Sequence, residues 1–297
     1  MLIAVLGALG AASCWAIGSL VSVYPAQMLG AAAFNRTRMC IVGLMLIAAA
    51  SVLGTWASLE QSYFSALILS GLVGIFIGDT ALFATLRRMG PRRTAILFAM
   101  NAPITTVLGY LFLQERLAPS ALAGCALVLG GVVMAIVYGK RKSQLHDWET
   151  VRGALPVGIA LGLTAATAQA VGLIISKPVL DAGADPVAAS AVRVSIAAVA
   201  LVCANLLPIP QFKAQAPLTK PLLGWIVLSG LLGMGVGMTL LMVALAHGDS
   251  GIVATLAATQ PVMMLPLIWI RTKECPALGA WLGAIAVVAG TGMIFNA

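Results

Sequence analysis

Charges and prolines punctuate this chain into long runs in which almost every position is apolar. A run of about 20 such residues is long enough to cross the hydrocarbon core of a bilayer as an α-helix. Ten are expected, near residues 2–22, 32–53, 64–86, 93–113, 119–139, 153–175, 187–207, 222–246, 250–270 and 277–295. The first has no charged segment ahead of it and no convincing cleavage site behind it, so it reads as a spanning helix rather than a signal peptide. The pattern predicts an all-α integral membrane protein with ten transmembrane helices.

Composition agrees. Hydrophobic residues make up 61% of the chain and charged residues 9%, where a soluble domain carries roughly 45–50% and about 25%. Five cysteines, Cys14, Cys40, Cys125, Cys203 and Cys275, are scattered singly with no CxxC pair and no neighbouring histidine. They fit small buried hydrophobes, and neither a disulfide framework, a metal site nor a cofactor is expected. The net charge of +8 raises the question of nucleic acid, and the placement of the basic residues answers it. Fourteen of the seventeen Lys and Arg fall after the odd-numbered spans: Arg36, Arg38, Arg87, Arg88, Arg92, Arg93, Lys140, Arg141, Lys142, Arg152, Lys213, Lys220, Arg271 and Lys273. Arg116 and Lys177 lie on the opposite side, and Arg193 falls within a span. By the positive-inside rule the rich side is cytoplasmic and both termini are outside. The basic charge reports orientation in a lipid bilayer, and no nucleic-acid partner is expected.

The chain also repeats itself. "GLVGIFIGDTALFATL" from Gly71 aligns with "GLLGMGVGMTLLMVAL" from Gly230, and the register continues through Pro103 and Pro261, Glu115 and Glu274, Gly124 and Gly283, Gly131 and Gly290. Arg38 and Arg193 stand about seven residues into the second helix of each half. Each half holds five spans, and because five is odd the second half enters the membrane from the opposite side. The repeats are therefore inverted, over 1–139 and 153–297, with the hydrophilic 140–152 as a cytoplasmic linker. Inverted repeats are how many secondary transporters are built, with the substrate site near the midplane between them.

The stretch "GDTALFATLRRMGPRRTAILFAMNAPITTVLGYLFLQERL", from Gly78, resembles the EamA-type domain of the drug/metabolite transporter superfamily. So does the duplication, although the second copy carries "TQP" and "TKECP" where the family has an "AP" and a Glu-Arg pair. The resemblance implies a ten-helix carrier of small metabolites in the inner, cytoplasmic membrane, with a cavity between the first four helices of each half. It also implies export, and both termini in the cytoplasm. On this last point the charge count of the chain itself says the opposite.

A few residues carry candidate chemistry. Asp79 lies about seven residues before Arg87, roughly 10 Å inside the end of its helix. An intramembrane carboxylate should face the bundle interior and have a partner, either as part of a substrate or proton site or as a structural pair with Arg36 or Arg38. Its repeat mate is Met238. Arg38 and Arg193 offer a planar fork suited to carboxylate or phosphate, with snorkelling the alternative for Arg38. Pro103 and Pro261 break two helices at matching places and free carbonyls near Ala99 and Ala257. Asn101, Thr105, Thr106, Thr259 and Gln260 are at hand to line or repair such a break. Trp15 and Gln169 correspond in the first helices of the halves and complete the candidate binding set: Trp15, Arg38, Asp79, Asn101, Gln169, Arg193 and Gln260. Gly74, Gly78, Gly233, Gly237, Gly279 and Gly283 are spaced for close helix packing. Glu115 and Glu274 read as interfacial anchors. His247 and Asp249 have no nucleophile with them, and no enzyme activity is expected. The reading is a secondary transporter of a small polar or amphipathic metabolite working by alternating access, as a monomer or homodimer. The alternative is a flippase for lipid headgroups or lipid-linked precursors.

Overall fold

A computed structural model describes residues 1–138, 154–207, 213–272 and 277–296. The linker 140–152, together with Glu274 and Cys275, lies outside the described residues. Among the described residues ten helices are long and apolar enough to span: Leu2–Ser22, Ala32–Val52, Tyr63–Leu86, Arg93–Phe112, Pro119–Tyr138, Leu155–Asp181, Pro186–Leu206, Lys220–His247, Ser250–Leu267 and Leu278–Phe295. They are numbered here as the first to tenth spans. Large apolar side chains such as Leu44, Phe112 and Val288 point outward. That is costly in water and natural in lipid.

Boundaries depart from the sequence reading where helix continues past a span. The first helix runs on to Leu29, through Pro25, and stops at Gly30, whose φ of 83° turns the chain into the second. The sixth span reaches Asp181, farther than expected, because Pro178 sits within helix and does not end it. Helical backbone also persists through 87–92, where a loop is expected, so a single helix from Gly78 to Ala99 joins the third and fourth spans.

Two kinds of irregularity recur at matching places. The third and eighth spans each contain a π-helical segment, Gly71–Ile77 and Leu231–Gly237. The fourth and ninth are broken, with helix ending at Ala99 and resuming at Asn101, and ending at Ala257 and resuming at Gln260.

The two halves interleave. The first span packs on the eighth and the sixth on the third, while second meets seventh, fourth meets ninth and fifth meets tenth. The second, fourth and fifth spans thus meet their own counterparts, while the first and third each meet the counterpart of the other, as a pseudo-two-fold axis requires. The main apolar core runs from Ala4 to Ile294, with a smaller cluster of Leu29, Ala33, Phe34, Leu222 and Ile226 beside it. Backbone approach at these crossings depends on missing side chains. A Cβ at Gly131 would lie 2.6 Å from the Gly283 carbonyl oxygen, and one at Gly290 2.7 Å from that of Gly124. The third span closes on the sixth the same way, Gly74 against Gly172, with Ser70 Oγ donating to the Gly172 carbonyl at 2.6 Å.

Candidate functional site

The second span carries Phe34, Asn35 and Arg38 on adjacent turns, so that residues three or four apart share a face. Arg38 Nη2 donates to Asn35 Oδ1 at 2.8 Å, and its guanidinium lies 5.3 Å from the centre of the Phe34 ring. Asp79 is the second residue of the regular helix that follows the first π segment. Its Oδ2 is 3.6 Å from Arg38 Nη2, an ion pair too long to be a hydrogen bond. Among the described residues neither Asp79 Oδ2 nor Arg38 Nε has a hydrogen-bond partner. Those two atoms are themselves buried, although the side chains as wholes keep 14% and 10% of their exposure, so the pair is loose without being open.

The second π segment meets this pair from the other half. Trp15 Nε1 donates to the Gly233 carbonyl at 2.7 Å, using an acceptor inside the π segment, where the α-helical ladder is interrupted. Gly233 in turn borders Arg38, since a Cβ there would lie 3.8 Å from Nη1. Gln260, first residue after the break in the ninth span, donates from Nε2 to Ser19 Oγ at 2.8 Å and to the Trp15 carbonyl at 3.3 Å. Trp15, Gln260, Arg38 and Asp79 thus form one polar path crossing five spans and both repeats.

Arg193 is elsewhere. It is fully buried on the seventh span and packs against the first π segment, its Nη2 beside Gly74 and its backbone against Gly71. Arg38 does the reverse, with its stem against Gly230. Arg193 Nη1 reaches Met242 Sδ at 3.0 Å and Met238 Sδ at 3.5 Å, both weak acceptors.

Asn101 is buried at the fourth-span break, where its Nδ2 donates to the Phe98 carbonyl at 2.7 Å. Thr259 does the same at the ninth-span break, donating to the Leu256 carbonyl at 2.6 Å. These carbonyls lie one residue before the ones expected to be freed. Thr105 and Thr106 bond back to Asn101 and Ala102 in their own helix. Gln169 sits half-buried on the sixth span. A groove of about 380 Å³ opens nearby, between Val73, Leu163, Thr164 and Ala168, and none of the candidate residues lines it.

Sequence reasoning did not single out Asn35, Phe34, Ser19 or Met242. Asn35 had a usable signal, being a polar side chain one turn before an intramembrane arginine. The π segments had none, because their glycine-rich composition reads equally well as α-helix. Glu115, read from the sequence as an interfacial anchor, accepts from Ser250 N at 2.9 and 3.0 Å and from Ser250 Oγ at 2.7 Å, tying the end of the fourth span to the start of the ninth.

A solved structure described only as "Crystal structure of protein" superposes with a TM-score of 0.79 at 16% sequence identity, covering 98% of this chain and 95% of the other. At that identity the likeness speaks for the fold alone. No curated protein matches the chain in sequence. The EamA-like transporter family matches twice, over residues 2–137 and 156–296, one match for each repeat. That double match accounts for the paired π segments and paired helix breaks as duplicated features of one scaffold, supports transport of small solutes rather than lipid flipping, and places the chain in the EamA-like transporter family.

Proposed function

We propose that the protein is a secondary carrier that exports a small polar or amphipathic metabolite across the cytoplasmic membrane by alternating access, with the polar path from Trp15 to Asp79 as its binding site. The observation that carries this is the loose Arg38–Asp79 pair at 3.6 Å. An ion pair serving only the fold gains most from close, hydrogen-bonded geometry. This one leaves acceptor and donor atoms unspent, with Arg38 bordered by Gly233 of the other repeat, whose carbonyl the Trp15 indole holds. A polar solute or a proton can therefore be exchanged against Asp79 without dismantling a tight structural contact. The broken fourth and ninth spans support movement of one repeat against the other, since breaks at corresponding positions are a mark of transporter sites. Outward direction rests on the family resemblance. One chain supplies both repeats, so the reading needs no second copy.

The test is efflux or counterflow in proteoliposomes, normalised to folded protein, for solutes found by a growth screen of overexpressing cells on toxic metabolite analogues. Asp79→Asn should remain inserted and folded while its normalised transport, or the pH profile of that transport, collapses. Coincident rates and profiles in wild type and variant would remove Asp79 from the site.

A further inference from the structure

The two arginines occupy equivalent places, yet among the described residues Arg38 has a counter-ion and Arg193 has none. Three residues before Arg38 stands Asn35, which accepts from it, and across the helix interface stands Asp79. Three residues before Arg193 stands Ser190, and in the place of Asp79 stands Met238. A carboxylate has been replaced by a thioether and an amide by a hydroxyl. The structure registers the consequence. Among the described residues no carboxylate pairs with Arg193, and its Nε and Nη2 have no hydrogen-bond partner, nor does Ser190 Oγ. All of this is sealed, with Arg193 and Ser190 both at 0% exposure. A guanidinium cannot escape the cost of burial by losing its proton, and thioether sulfurs offset little of it. Buried cations are paired in stable proteins, so this site is short of one anion.

We infer that Arg193 is the recognition group for an oxyanion of the transported solute, a carboxylate or a phosphate, which takes the place that Asp79 holds opposite Arg38. This rests on the carrier reading and narrows its substrate to solutes bearing at least one negative group. The free donors suit the assignment. Nε and Nη2 are the two edges of the fork that grips a carboxylate or phosphate bidentately, and the Ser190 hydroxyl adds a third donor on the same helix, one turn away. Gly74 backs directly onto this side of the guanidinium, where a Cβ would stand 3.4 Å from Nη2. In the state described the site is closed, and its opening is assigned to the π segment Gly71–Ile77 that covers it, an element with a weakened helical ladder. The repeats then divide the work. One half carries its own anion and the other receives it from the solute.

The experiment uses the full-length protein purified in detergent, its thermal unfolding followed with inorganic phosphate, pyruvate and succinate as probes. Chloride at matched ionic strength and the amides of the two acids serve as controls. At least one oxyanion should raise the unfolding temperature of wild type where the controls do not. Its half-saturating concentration should rise about 10- to 100-fold in Arg193→Gln, the range for loss of charge-assisted hydrogen bonds. Met238→Asp, which supplies the missing carboxylate and keeps the arginine, should unfold at a higher temperature than wild type and no longer respond to the probe. It decides the matter if Arg193→Gln fails to fold. No response in wild type, or a response unchanged in both variants, overturns the inference. Arg193-dependent binding without uptake of that anion by proteoliposomes would fault the carrier reading and leave the site standing. Uptake confined to neutral or cationic solutes would do the opposite.

Discussion

Asp79 and Met238 share one place in the repeat, and the exchange of carboxylate for thioether separates what the two halves need. Removing the charge from Asp79 leaves Arg38 still bonded to Asn35 and still over Phe34. Breaking a tight, fully buried ion pair costs about 3–5 kcal/mol. Here the oxygen is 3.6 Å away and both side chains retain some exposure, so Asp79→Asn should lower stability by only about 1–2 kcal/mol. Thermal unfolding in detergent checks this, and a loss above about 3 kcal/mol would mark the pair as a structural strut. At this scale the ionisable residues were legible, because a charge inside an apolar run stands out whatever surrounds it. Asn35, Ser190 and Met242 were not. An uncharged side chain within a span carries no sign of whether it faces lipid, backbone or an arginine of the other half.

Elements were legible in number and position, since length and hydropathy alone set the spans, and in the breaks, since Pro103 and Pro261 cannot donate the hydrogen bond an intact helix requires. What escaped was the internal form of the third and eighth spans. A π segment shifts the ladder by one residue without changing which residues are used, so nothing in "GLVGIFI" distinguishes it. The close crossing of fifth and tenth spans allows a sharp prediction at this scale. Adjacent glycines at 130 and 131 differ in what they face: a Cβ on Gly130 meets nothing within 4 Å, whereas one on Gly131 would sit 2.6 Å from the Gly283 carbonyl oxygen and 3.0 Å from Ala286 Cβ. Gly130→Ala should be neutral or stabilise by up to about 1 kcal/mol through helix propensity. Gly131→Ala should destabilise by about 1–3 kcal/mol because the helices must part. Unfolding curves of the two variants side by side give opposite signs if the crossing is as close as described.

Over the whole molecule, the interleaved halves create two ends with distinct chemistry. At one, Arg36 Nη1 donates to Asn205 Oδ1 at 2.5 Å, Lys213 Nζ to the Asn205 carbonyl at 2.7 Å, and Gln215 N to the Leu29 carbonyl at 3.0 Å, drawing together the connections after the first and seventh spans. At the other, Asp185 N donates to Ser58 Oγ at 2.8 Å, Glu115 holds Ser250, and Lys177 pairs with Asp181. Fourteen basic residues belong by sequence to the first end, while Arg116 and Lys177 belong to the second together with Glu60, Glu115, Asp181, Asp185 and Asp249. Cytoplasmic retention of Lys and Arg is what orients multi-span proteins, so the first end should be cytoplasmic and both termini outside, contrary to the arrangement implied by the family resemblance. Single cysteines at Gln144 and Gln61, placed in a variant whose five native cysteines are replaced, report the two ends separately. In intact cells an impermeant maleimide should label Gln61→Cys and spare Gln144→Cys until the membrane is permeabilised. The reverse pattern would turn the molecule over in the membrane. Arg38 and Asp79 would then open toward the outside and Arg193 toward the cytoplasm, and an exported anion would meet Arg193 first.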